Sequence, residues 1–314
     1  MDRQDLRKRF RGVVGVTVTP MDDNYEIDSA RMYDLAQWWV ENGLTRGRAM
    51  LKVVSLMGEF PQLSDEEWPE VVRATVRGAD GKVDIIAGTH HKDTKRTIED
   101  VLRAQDLGAI GMQIAPPAMN DPNQDDMLRF YSDVSDAIEI GVMVYNTPWD
   151  RHGAIDAATL HKMADLEHIV AIKWATHDGC PVEEMSQLAP KFNLIENGND
   201  RVGFHKQGGN GFLDKSSVAY PPHELKMWDL LEARRYDEAQ TLWDTVDLPI
   251  RNLAEKSSDR SGGQARFKKM LMNAMGHNVG HQRPPTLPAR EEEITELREL
   301  LESLGWPIPS LVSV

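Results

Sequence analysis

One cysteine, Cys180, stands in 314 residues, so no intrachain disulfide can form and a cysteine-based zinc site is excluded. Positive charge is scarce too: 36 Lys and Arg face 50 Asp and Glu, a formal charge of −14. Nucleic acids and anionic membranes are bound by clustered Lys and Arg, so neither partner is expected. An anionic small molecule stays allowed, because a cleft can be locally positive inside an acidic chain. No apolar run approaches the roughly 20 residues of a membrane span, and the opening MDRQDLRKRFRG has no apolar signal core. With 40% hydrophobic and 27% charged residues, the expectation is a soluble, cytoplasmic, globular protein.

What the chain does have is a rhythm of short β-like runs separated by amphipathic stretches. Strands are expected at residues 12–18, 50–54, 83–88, 111–115, 141–145, 170–174, 193–196 and 211–213. A helix should begin at Ser64-Asp65-Glu66-Glu67, where Ser64 and Glu67 can satisfy each other's backbone donors. Another should run from Thr94 to Leu107 and stop at Gly108. Strands recurring mostly every 20 to 35 residues or so suit parallel βαβ units. An open nucleotide-binding sheet would advertise a Gly-rich turn after its first strand, whereas this strand ends Val18-Thr19-Pro20-Met21. The expected fold is therefore a (β/α)₈ TIM barrel. Past residue 222 the β-pattern ends, and helices are expected within 223–243, 265–275 and 290–304. The division expected is a catalytic barrel over 1–222 and a C-terminal helical region over 223–314 packed on it. The segment Ser257–Gly263, SSDRSGG, reads as a mobile loop.

In such barrels chemistry sits where strands end. The sixth run ends Val170-Ala171-Ile172-Lys173-Trp174, placing an amine among apolar neighbours. Desolvation disfavours an ammonium, and the free amine is the form that attacks a carbonyl. The fifth run ends Val144-Tyr145-Asn146, placing a phenol one strand away as a proton relay. By position alone, a solvated or structural lysine and a packing tyrosine are the commoner readings.

A set of motifs in a fixed order adds to this. They are Val18-Thr19-Pro20, Met57-Gly58-Glu59-Phe60 with Leu63-Ser64-Asp65-Glu66-Glu67, Ile86-Ala87-Gly88, Pro116-Pro117, Tyr145-Asn146-Thr147-Pro148, Ile172-Lys173, Gly198-Asn199-Asp200, Gly208-Gly209-Asn210-Gly211 and Arg283-Pro284-Pro285. From about Gly12 to Trp306 the chain resembles the dihydrodipicolinate synthase/N-acetylneuraminate lyase family of class I aldolases. The resemblance implies that Lys173 forms a Schiff base with a 2-oxo acid and that Tyr145 assists proton transfer. It also implies that no metal or organic cofactor is needed and that the chain is a homo-oligomer, a tetramer or dimer.

The chain also departs from that pattern. Where pyruvate-type members carry Gly-Thr-Thr-Gly-Glu, it has Ser55-Leu56-Met57-Gly58-Glu59; where they carry Pro-Pro-Tyr-Tyr, it has Pro116-Pro117-Ala118-Met119. Backbone N–H groups for a carboxylate remain, but the threonine hydroxyls and the second relay tyrosine are gone. Leu56, Met57, Met119, Trp149 and Trp174 suggest an apolar mouth. Ser55, Leu56, Met57, Met119, Arg151, Trp174 and Leu213 are the expected substrate-binding residues, with Arg151 as an anion clamp. Lys52, inside the second strand, either points inward beside Lys173, pairs with Glu59, or faces outward. His90, His91, His152, His177, Asp178, Asp214 and Lys215 also follow strand ends; adjacent histidines point apart and suit hydrogen bonding better than a metal. The resulting expectation is a Schiff-base lyase, aldolase or hydratase-aldolase, acting on a 2-oxo acid with an apolar or aromatic substituent. It excludes lysine-biosynthetic dihydrodipicolinate synthase. A sugar-acid lyase or dehydratase and a non-catalytic ligand-binding barrel are the alternatives.

Overall fold

The computed structural model describes residues 1–89, 92–150, 152–213, 216 and 218–309. Eight short strands, β1 (Gly12–Val16), β2 (Ala49–Val53), β3 (Asp84–Thr89), β4 (Gly111–Ile114), β5 (Gly141–Tyr145), β6 (Ile169–Lys173), β7 (Asn193–Glu196) and β8 (Gly211–Leu213), pair in parallel and close into a barrel in sequence order. This is the expected TIM barrel with its helical extension. Both faces of the sheet are covered, so the strands are apolar almost throughout rather than alternating. The interior is filled by Val14, Val16, Met50, Ile86, Met143, Ala171, Ile195 and Leu213.

The bottom of the barrel is plugged by a helix that sequence reading missed, α1 (Arg3–Arg9). Its turns are almost wholly charged, and only Leu6 and the following Phe10 reach the interior cluster. Phe10 sits so close to β4 that a Cβ on Gly111 would fall 2.2 Å from its ring and 2.4 Å from the Gly141 carbonyl. Glycine is what lets the plug seat.

The outer helices follow local signals. They are α2 (Ser29–Glu41), α3 (Glu67–Ala79), α4 (Thr94–Asp106), α5 (Gln124–Asp136), α6 (Ala157–Met163), α7 (Met185–Leu188) and α8 (Arg201–Lys206). Ser64 Oγ accepts from the Glu67 amide at 3.2 Å while Glu67 Oε2 accepts from the Ser64 amide at 2.8 Å, the reciprocal cap expected. α3 then lays Trp68, Val71, Val72, Thr75 and Ala79 on the barrel, a spacing of three and four.

After β8 come α9 (Pro221–Glu232), α10 (Tyr236–Leu242), a π-turn (Trp243–Asp247), α11 (Leu248–Arg260), α12 (Gly263–Ala274) and α13 (Glu291–Ser303). α11 corrects the loop expected at Ser257–Gly263: the helix runs to Arg260, leaving Ser261 and Gly262 as the corner before α12. Its buried stripe is Ile250, Leu253 and Ser257; the polar third member hides the periodicity. Among the described residues no helix is long and apolar enough to cross a membrane.

Two ion-pair groups tie this extension together and to the barrel. Glu293 accepts from Arg260 and, at 2.7 Å, from Arg266. These guanidiniums, Arg266 foremost, hold its carboxyl at a pKa of about 2. Lys269 of α12 lies 2.7 Å from Glu59, which follows β2, with both side chains buried. Burial pushes Glu59 up and Lys269 down, and their mutual attraction opposes both shifts.

A group whose folded pKa is depressed stabilises above its ordinary pKa and loses that contribution as pH falls. Glu293→Gln should therefore cost about 2 kcal/mol near neutrality. The deficit should vanish in urea melts taken from pH 5 down toward pH 2, and a deficit independent of pH would refute the assignment. Lys269→Met strands a buried carboxylate and should cost about 3–5 kcal/mol. The double variant with Glu59→Gln should recover part of it, measured as coupling in a double-mutant cycle.

Candidate active site

The C-terminal ends of the strands surround a cavity of about 630 Å³, within the range of small-molecule sites. Register decides which side chains enter it. Tyr145 and Lys173 are Cα partners at the last rung of the β5–β6 ladder. Two residues below them, Met143 and Ala171 belong to the apolar interior, so the strand period of two turns Tyr145 and Lys173 inward just where the cavity begins. Lys173 is 6% exposed, and its Nζ lies 3.4 Å from the centroid of the Tyr145 ring. Burial, with the Asp150 carboxylate adding, raises the Tyr145 phenol well above its ordinary pKa. The phenol therefore holds its proton and can donate it. Cys180 is no rival nucleophile: burial first, then Glu184 and Asp156, push its thiol up to about 12.

The neighbouring motifs act as braces. Asn146 Nδ2 donates to the Ile155 carbonyl at 3.0 Å and Asn146 Oδ1 accepts from the Ile155 amide at 3.0 Å. His177 Nδ1 accepts from the Gly179 amide at 3.2 Å, and its Nε2 lies 3.1 Å from the Ile155 carbonyl. These bonds close the loop after β5 over the barrel rim, which gives His177 a hydrogen-bonding place. His152 pairs with Asp121 at 3.3 Å.

On the other side, Thr19 Oγ1 donates to the Gly58 carbonyl at 2.6 Å and holds the turn Leu56–Gly58. That turn is reached through Val54 at φ 44 and left through Glu59 at φ 65. A β-branched residue in the left-handed region is a strained arrangement, maintained here by the Thr19 bond and the buried Glu59–Lys269 pair. Gly88 leaves room for it, since a Cβ there would lie 3.0 Å from Ser55.

Of the expected site residues, Ser55, Leu56, Met57, Tyr145, Lys173 and Leu213 line this cavity together. Met119 does not; it is 81% exposed on the turn Ala118–Asn120. Trp174 does not either. The strand period turns it away from Lys173, and it is buried against an adjacent groove with Glu196 and Phe204, its Nε1 donating to Thr176 Oγ1 at 3.0 Å. Trp149 stands between cavity and groove. Arg151, His90, His91, Asp214 and Lys215 lie outside the described residues.

Lys52 faces inward, and Glu59 is not its partner: Lys52 Nζ donates to Gln113 Oε1 at 2.8 Å, while Glu59 goes to Lys269. Gln113, Asn197, Gln264 and Gln282 also line the cavity and were missed. Gln113 had a signal, a polar residue inside the apolar strand Gly111–Ile114; the two from the C-terminal region had none. Among the described residues one group of metal-ligand type converges, His223, Glu224 and Asp247. It joins α9 to the π-turn, where the Arg201 guanidinium bonds Glu224 and sits 3.1 Å from Asp247, so a cation already stands between the two carboxylates.

The apolar mouth expected from Leu56, Met57, Met119, Trp149 and Trp174 is present in part: Leu56, Met57 and Trp149 line the cavity, whereas Met119 and Trp174 do not. Leu56 is 61% exposed at its rim, and Lys52, Gln113 and Asn197 add polar groups to a lining that also holds Val16 and Leu213. Comparison with known proteins corrects the functional expectation as well. The model of the dihydrodipicolinate synthetase family matches residues 9–304. The chain is 29% identical over 273 residues to the 4-hydroxy-tetrahydrodipicolinate synthase of Staphylococcus saprophyticus, covering 83% of this chain and 90% of that protein. It is 33% identical over 222 residues to the enzyme of the same name from Staphylococcus carnosus, covering 69% and 73%. It superposes on the dihydrodipicolinate synthase of Acinetobacter baumannii, solved in complex with pyruvate, with a TM-score of 0.81 at 25% identity over 94% of this chain and 98% of that one. These relatives overturn the exclusion of dihydrodipicolinate synthase activity, which rested on side-chain types at positions 56, 57 and 119. An ordered motif set, a closed parallel barrel and a buried strand-end lysine converge with them: the chain belongs to the dihydrodipicolinate synthetase family and is a class I aldolase-type enzyme.

Proposed function

We propose that this enzyme condenses a 2-oxo acid, pyruvate in the first instance, with a carbonyl acceptor, the reaction type named by its 4-hydroxy-tetrahydrodipicolinate synthase relatives. The observation that carries the reading is the Lys173 amine, buried at the cavity floor against the Tyr145 ring.

The amine adds to the C2 carbonyl and gives a carbinolamine. Its hydroxyl takes a proton from the Tyr145 phenol and leaves as water, forming the imine. The protonated imine draws the electron pair of a C3–H bond as the Tyr145 phenolate takes that proton, and the resulting enamine attacks the acceptor carbonyl, whose oxygen then takes the proton from the phenol. Hydrolysis then frees Lys173. Every atom comes from substrate, water and the two side chains. Backbone N–H groups of the turn Leu56–Gly58 suit carboxylate binding and do not depend on threonine hydroxyls. The same reading includes assembly into a dimer or tetramer, favoured by apolar Met119 and Leu56, both exposed on turns that follow strands.

Incubation with pyruvate and borohydride should add one reduced pyruvyl group, located on Lys173 by peptide mass mapping. Lys173→Ala should remove both the adduct and turnover; turnover surviving in that variant would sink the proposal. Tyr145→Phe should keep the fold and lower kcat by about 10²–10⁴-fold. A variant as fast as the wild type would remove the relay role.

A further inference from the structure

The inward wall at the level of Lys173 carries a second lysine that no motif requires. One pleat above the apolar residues Val14, Met50, Met143, Ala171 and Ile195 come Val16, Lys52, Tyr145, Lys173 and Asn197, all lining the cavity. β2 and β6 lie four strands apart in a closed ring of eight, so Lys52 and Lys173 enter the cavity from opposite walls. Lys52 is 3% exposed, and its Nζ donates to Gln113 Oε1 at 2.8 Å. Gln113, itself 1% exposed, fixes the direction of an otherwise flexible ammonium.

The charge of the cavity follows. Among the described residues lining it, Lys52 and Lys173 carry the amines and Glu59 the carboxylate. Glu59 is matched by Lys269, which lies outside that lining, at 2.7 Å. A lysine side chain aimed into the cavity from the wall opposite Lys173 favours an anionic group on the substrate. A 2-oxo acid brings one: its carboxylate is bonded directly to the carbon that joins Lys173. An ionised carboxylate taken out of water needs a charged or multiply hydrogen-bonding partner. Once the Lys173 nitrogen is committed to the imine, Lys52 is the remaining lysine among the described residues of that lining.

We propose that Lys52, oriented by Gln113, binds the substrate carboxylate and makes the pocket selective for 2-oxo acids over neutral ketones. This rests on imine formation at Lys173. The carboxylate approaches from the β2 side, beneath the turn Leu56–Gly58. Lys52 then supplies as charge what hydroxyl side chains would supply as hydrogen bonds.

The test compares pyruvate with its neutral isostere pyruvamide, reading the concentration that half-saturates borohydride labelling of Lys173. Lys52→Met should raise that concentration for pyruvate by roughly 10- to 100-fold, the range of a charge-assisted hydrogen bond. Pyruvamide should change by less than about two-fold, which also reports an intact site. Lys52→Arg, which keeps the charge, should restore part of the preference. Should the apolar variant not fold, Lys52→Gln reads the same contrast. Equal half-saturation by pyruvate in wild type and Lys52→Met, with Lys173 labelled in both, would overturn the role of Lys52 and leave the imine intact. No labelling of the wild type by either ketone would overturn the imine reading and this inference with it.

Discussion

A lysine amine must be kept from bulk water yet remain open to a substrate, and closing eight parallel strands into a barrel meets both demands at once. The strand period of two turns alternate residues into the interior, where the lower layer is apolar and Phe10 plugs the base. The next layer up has no further strand layer above it. Lys173 and Tyr145 stand there as register partners, so their contact is a consequence of sheet pairing and requires no loop to place them. Everything else near the site adjusts access or charge around that fixed pair.

The loops that do so are held by hydrogen bonds from residues behind them. Asn146 clasps Ile155 through both amide atoms, and Thr19 holds the Gly58 carbonyl. The buried Glu59–Lys269 pair reaches further, joining the strained turn after β2 to α12. The C-terminal helices are thereby part of the mouth, and Gly262, Gly263, Gln264, Ala265 and Gln282 line the cavity directly. A buried ion pair is weak evidence for stability in itself; here it sets where a turn that lines the same cavity as Lys173 must lie.

The correction concerning the mouth has a physical lesson. Residue type at 56, 57, 119, 149 and 174 suggested an apolar pocket; Leu56, Met57 and Trp149 do line the cavity, whereas Met119 points to solvent and Trp174 packs beside an adjacent groove. A carboxylate can be met by backbone amides, whose direction depends on the turn and not on the side chain. Substitutions of hydroxyl residues there therefore say less about the ligand than their chemistry implies. The polar wall of Lys52 and Gln113 says more, because inward strand positions cannot turn away.

The order of the strands, the outer helices α3 and α4, the reciprocal Ser64–Glu67 cap and the position of Lys173 at a strand end were determined by the sequence alone. These depend on local periodicity and on backbone groups a few residues apart. Lys173 and Tyr145 could be named there, but their contact could not, since it is a relation between two strands. Tertiary structure decided that Lys52 meets Gln113 across 61 residues, that Glu59 belongs to Lys269, and that Trp174 and Met119 lie outside the cavity. It also made a helix of the polar stretch ending at Arg260. Burial and the pairing of distant charges are properties of the closed barrel, and a linear pattern of side chains does not contain them.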